Sequence, residues 1–172
     1  MLDRAYGDFA FDEFPAAHDR LVVFSTFSKA WGLAGLRIGW VTSASDNIRE
    51  IRKVKLPYNL NFVSEEIALI ALENVAVKDA HVRELVSERT RLVREMEAIE
   101  SVRTYPTEAN FIAFETKLEP KQLFEKLYAD GILIRNVSTY PGMARALRVS
   151  VGSTQQNDKF VTSLKGALVA SS

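Results

Sequence analysis

The chain contains no cysteine, which excludes disulfide frameworks, thiolate metal sites and a cysteine nucleophile. It has only two histidines, too few for a histidine-rich metal site, so no metal is expected. It also lacks net charge: 22 Lys and Arg balance 22 Asp and Glu, leaving no electrostatic footprint for nucleic acid or an anionic membrane. No apolar run approaches the roughly 20 residues of a membrane span. The opening Met-Leu-Asp-Arg is not the basic-then-apolar start of a signal peptide, so a cytoplasmic setting is expected. Internal repeats and low-complexity segments are missing too. What remains is 172 residues with 47% hydrophobic content, enough for one domain or for a small domain plus part of another.

Strand-like and helix-like segments alternate along the chain. Leu21 to Ser25 and Leu36 to Thr42 read as short buried strands around a glycine-rich turn. Ser45 to Lys55 reads as a helix, broken at Pro57. Ser64, followed by Glu65 and Glu66, reads as the cap of a helix with Ile67, Leu69, Ile70 and Leu72 at helical spacing. A second long helix is expected over roughly Val77 to Ile99, with Val82, Leu85, Val86, Leu92, Val93 and Met96 on one side. The remainder reads strand, helix, strand, strand, helix: NFIAFE, Pro120 to Tyr128, ILIRNV, ALRVSVG and Gln155 to Val169. This is a compact α+β unit. By contrast, MLDRAYGDF begins on the last residues of a strand, and the first 60 or so residues supply only about three strands, so further strands are expected from an upstream segment.

The stretch TFSKAWGLAGLRIG, Thr26 to Gly39, carries the chemistry. Lys29 follows a strand end, where reactive side chains are presented. A lysine amine becomes a nucleophile when its site favours the neutral form, and its characteristic product is a Schiff base with a carbonyl such as that of pyridoxal phosphate. Such a cofactor needs its phosphate held and its ring nitrogen kept protonated. Thr26 and Ser28 offer hydroxyls, the glycines permit close backbone approach, and Arg37 offers a forked donor pair. Asp3 is a candidate partner for the ring nitrogen and Tyr6 for the ring oxygen. Each has a plainer alternative: Lys29 as a solvated surface residue, Asp3 as a turn cap, the glycines as a tight connection.

LDRAY followed by TFSKAWGLAGLRIGW resembles the cofactor-binding core of fold-type I aminotransferases. KLPYNLN, EANFIAFE, GILIRNVSTYPGMARALRVSVG and NDKF make the chain most similar to the histidinol-phosphate aminotransferases, over essentially its whole length. Arg4 departs from the glutamate common after the aspartate. The resemblance implies an α/β fold: the C-terminal part of a pyridoxal-phosphate-dependent large domain over residues 1–75, an interdomain helix over 76–96, and a complete small α+β domain over 97–172. It implies Lys29 as the cofactor-bearing lysine and proton carrier, Asp3 at the ring nitrogen, Tyr6 at the ring hydroxyl, and Thr26, Ser28 and Arg37 at the phosphate. Arg148 would bind the substrate's α-carboxylate, and Arg135 would lie near the substrate, at its phosphate end. Asn110 has a structural or a substrate role. A guanidinium in an otherwise apolar strand requires an anion on physical grounds as well, with a structural ion pair as the alternative for both arginines.

The implied reaction moves an amino group from histidinol phosphate or a related amino acid to 2-oxoglutarate. The implied assembly is a homodimer, or association with a missing N-terminal half. Two other readings stand beside it. A non-catalytic fragment would act only through association at an exposed sheet edge and apolar patches. A nucleotide-binding loop is disfavoured because GLAGLRIG lacks the Gly-x-Gly-x-x-Gly spacing.

Overall fold

The structure, a computed structural model, describes residues 1–10, 13–16 and 18–169. It divides into two compact units, Met1–Arg83 and Glu84–Ser172.

In the first unit, β1 (Leu2–Asp3) pairs in parallel with β2 (Val22–Thr26), and β2 pairs antiparallel with β3 (Gly39–Ser43). The strand order is β1-β2-β3. The one-turn helix α1 (Gly7–Ala10) follows β1 and buries Phe9. β3 starts three residues later than the apolar pattern suggests. Ala34–Leu36 form a 3-10 turn, and Arg37 leaves it in the left-handed conformation with φ 58°, so Leu36 and Arg37 turn rather than extend. Gly39 begins β3 because a Cβ there would lie 2.7 Å from the Ser25 carbonyl oxygen.

Helices α2 (Ser45–Val54) and α3 (Phe62–Glu73) follow. The cap of α3 is Asn61, not Ser64: the Asn61 side chain accepts from the Ser64 backbone N–H at 2.9 Å, placing Ser64 one turn inside. Phe27, Ile38 and Ala68 form a small buried cluster, flanked by Trp31, Leu33, Leu36 and Ala71. Leu56, Tyr58, Phe62, Val63 and Ile70 are exposed. The unit boundary falls inside α4 (Val75–Glu97), which starts and ends two residues before the expected span.

The second unit is built on an antiparallel sheet of order β4-β5-β7-β6, made of β4 (Val102–Thr104), β5 (Phe111–Thr116), β6 (Arg135–Asn136) and β7 (Leu147–Ser150). α5 (Pro120–Ala129) carries Pro120 in its first turn, where the missing N–H costs nothing, and α6 (Thr154–Val169) closes the unit. Alternation along the strands sends Ile112, Phe114, Leu147 and Val149 into one core with Leu92, Met96, Leu123, Leu127, Phe160 and Leu164. The ILIRNV segment contributes only two strand residues, since Ile134 and Val137 are buried on either side of them outside the ladder. β4 was not expected at all.

Arg91 ties α4 to α6 within this unit. It forks onto Glu88 at 2.8 and 3.0 Å and reaches Glu95 and Asp158, each at 2.7 Å. The buried Asn157 side chain donates to Glu88 at 2.8 Å. The Arg91 fork holds the Glu88 carboxyl down at about 2.

Candidate functional site

The first unit gathers six of the predicted residues at one end of its sheet. Because β1 and β2 are parallel and in register, Leu2 with Val23 and Asp3 with Phe24, both strands finish at the same edge. Loops at the carboxyl ends of parallel strands are where α/β folds build ligand sites. Asp3 closes β1, and its Oδ1 accepts the Ala5 backbone N–H at 2.8 Å, so it does form a turn. That turn carries Tyr6, and the Lys29 ammonium lies 5.2 Å from the Tyr6 ring centroid.

Past β2 the backbone reverses. Phe27 N–H donates to the Ile38 carbonyl at 3.1 Å and Leu33 N–H to the Phe27 carbonyl at 2.9 Å, while Gly32 takes φ 68° in the turn. Thr26 Oγ1 lies 3.0 Å from Ser28 Oγ and 3.2 Å from the Ile38 carbonyl, and it accepts the Ser28 backbone N–H at 3.0 Å. These bonds fix the hydroxyls beside Lys29, which is half-buried. Arg37 is brought back toward the same turn by the Phe27–Ile38 bond. Its exposed guanidinium uses one N–H on the Ala34 carbonyl at 3.0 Å. Arg4 turns to other contacts: it donates to the Glu13 carbonyl at 3.0 Å and stacks over the Phe14 ring at 5.5 Å.

These residues suit an anionic, carbonyl-bearing ligand. They supply one primary amine with an aromatic face and no described carboxylate beside it, two fixed hydroxyls, a forked cation and one carboxylate at the strand end.

Sequence reasoning missed the brace behind this turn. The Lys78 ammonium, 14% exposed in its side chain, bonds Asp8 at 3.0 Å and Asp79 at 2.7 Å and lies 5.5 Å from the Trp31 ring centroid. Asp8 is two residues beyond Tyr6 and Trp31 two beyond Lys29. A lysine on a helix gives no sign of a partner 70 residues away.

The other three predicted residues belong to the second unit. Arg148 of β7 stands directly opposite Arg135 of β6. Arg135 is exposed and donates to the Tyr140 hydroxyl at 3.2 Å. Arg148 is half-buried. Its Nε is buried with no hydrogen-bond partner, and its guanidinium sits 4.8 Å from the Phe111 ring centroid. Among the described residues, no carboxylate forms an ion pair with it. Asn110 immediately precedes β5, and its backbone carbonyl accepts the Val151 N–H at 3.0 Å, extending the β5–β7 ladder.

The family model for aminotransferase class I and II matches residues 1–164. A histidinol-phosphate aminotransferase of Caldanaerobacter subterraneus subsp. tengcongensis is 35% identical over 171 residues, 98% of this chain and 48% of the relative. One from Aquifex aeolicus is 34% identical over 172 residues, again 98% and 48%. The crystal structure of the histidinol-phosphate aminotransferase from Clostridium acetobutylicum superposes with a TM-score of 0.89 at 22% identity, covering 98% of this chain and 53% of that one. That of Sinorhizobium meliloti, in complex with pyridoxal-5'-phosphate, gives 0.86 at 23%, covering 99% and 49%. The chain spans about half the length of the curated relatives it matches. Among the described residues, no helix is long and apolar enough to cross a membrane.

Proposed function

Since the chain belongs to the aminotransferase class I and II family, we propose that the protein transfers an amino group from histidinol phosphate, or a related amino acid, to 2-oxoglutarate with pyridoxal phosphate held at Lys29. The observation that carries this reading is the strand-end cluster, in which the Lys29 amine lies against Tyr6 beside the Thr26 and Ser28 hydroxyls. When bound, the cofactor supplies an aldehyde that condenses with amines and a ring that accepts an electron pair.

The chain's own groups do the rest. Ser28, Thr26 and Arg37 would hold the phosphate, the last through N–H groups not spent on Ala34. Asp3 would pair with the protonated ring nitrogen, and Tyr6 would hold the ring oxygen. Lys29 would hold the cofactor and, as a free amine, would act as the carrier of the substrate's Cα proton. Arg148 binds the α-carboxylate that amino donor and keto acceptor share, and Arg135 and Asn110 contact the rest of the substrate. In this reading residues 1–75 are part of the cofactor-holding domain, 76–96 the connecting helix and 97–172 the small domain, in a cytoplasmic homodimer.

Exposed Leu56, Tyr58, Phe62, Val63 and Ile70 favour a second reading, in which this chain acts only by associating with another. One experiment addresses both. The chain is incubated with pyridoxal phosphate, reduced with borohydride, mapped by mass spectrometry, and assayed in parallel for transamination. A cofactor adduct on Lys29 is the expected result, and turnover beside it supports the transferase reading. An adduct on Lys29 without turnover supports the second reading, and adducts confined to other lysines overturn the assignment of Lys29.

A further inference from the structure

We propose that Phe111 is a positioning residue for Arg148, its ring holding the guanidinium so that the fork is presented to a substrate carboxylate. This rests on the reading of Arg148 as the carboxylate-binding group.

The sheet register carries the argument. Ile112, Phe114, Leu147 and Val149 point into the core of the second unit, so Phe111, Ala113, Glu115, Arg148 and Arg135 share the opposite face. Arg148 stands directly across from Ala113, and Phe111 is its diagonal neighbour on that face. Ala113 contributes only a methyl group, which leaves the arginine room to lean over the Phe111 ring at 4.8 Å. The acid on the same face of β5, Glu115, is engaged elsewhere: Arg103 bonds it at 3.0 Å and the Tyr105 hydroxyl also donates to it. On the other side Arg148 faces Arg135, a like charge in direct register, a pairing that is unfavourable unless an anion lies near.

The ring is thus the attractive contact that orients Arg148, and among the described residues no acceptor meets its buried Nε. An aromatic face suits this task better than a carboxylate would. It attracts the cation and leaves its in-plane N–H groups for a ligand.

The test follows the Arg148 Nε–Hε resonance by NMR in the full chain, identified by its loss in Arg148→Lys, during titration with 2-oxoglutarate as probe. The wild-type resonance should carry the ring-current shift of Phe111 and move saturably. Phe111→Leu should abolish the ring-current shift and weaken binding about ten-fold, while Phe111→Tyr, which keeps the aromatic face, should stay within about two-fold of wild type. Amide spectra of β5 and β7 without ligand check that the sheet persists, and Phe111→Met replaces the leucine variant if it does not. Equal affinity in the wild type and the leucine variant overturns the role of Phe111 and leaves Arg148 as the carboxylate site. A wild-type Arg148 resonance that 2-oxoglutarate leaves unmoved overturns the carboxylate reading, and the role of Phe111 with it.

Discussion

Replacing Glu88 by glutamine should destabilise the second unit at neutral pH and cease to matter in acid. Glu88 accepts a two-pronged bond from Arg91 and one from Asn157, so its carboxylate is strongly preferred over the acid in the folded chain. Its pKa accordingly falls from the ordinary 4.5 to about 2. A group with a depressed folded pKa contributes stability that is fully present above its unfolded pKa and lost as pH falls toward its folded pKa. Here that window runs from about 4.5 down to about 2. A drop of that size corresponds to about 3 kcal/mol. Arg91 keeps Glu95 and Asp158 in the variant, so the measured deficit should be somewhat smaller, about 2–3 kcal/mol at pH 7. Hydrogen exchange of the α6 amides against urea reports on this unit alone, and subtracting variant from wild type at each pH cancels the other carboxylates. The difference should hold steady down to about pH 5, shrink below it and approach zero near pH 2. A difference already near zero at pH 7, or one that does not change between pH 5 and pH 2, would refute the argument that the Arg91 fork stabilises the charged form.

Two further outcomes concern the first unit, which contains both tryptophans and can be followed by their fluorescence in urea. Gly39→Ala should cost about 1–3 kcal/mol, because the added methyl meets the Ser25 backbone carbonyl rather than a movable side chain; an unchanged midpoint would show that the hairpin yields freely. Lys78→Met should cost about 1–2 kcal/mol by leaving Asp8 and Asp79 without their cation, and Lys78→Arg should recover part of it; a methionine variant as stable as wild type would mean the brace contributes nothing.

What the sequence made legible was what short-range chemistry dictates. Lys29, Thr26 and Ser28 could be read as a unit because they lie within four residues at a strand end, where Thr26 and Ser28 bond to each other. The strand ending at Asp3 was legible as well, since its partner β2 is a plain apolar run. Local pattern failed where backbone conformation broke it. Leu36 to Ile38 look like strand, yet Arg37 occupies the left-handed region that ends a 3-10 turn. Asn61 and Ser64 are both capping residues, and only the bond from Ser64 N–H to the Asn61 side chain decides between them. β4 escaped notice because its three residues include one buried side chain, Val102, too few for an alternation to register. The misses near the candidate site have a different origin. Which residue lies beside Arg148 depends on the offset between β5 and β7, 35 residues apart at Ala113 and Arg148, and a slip of one position would have put Phe111 on the core face. That Arg148 stands in an apolar strand could therefore be read from the sequence, whereas its contact with the Phe111 ring exists only once the sheet is assembled.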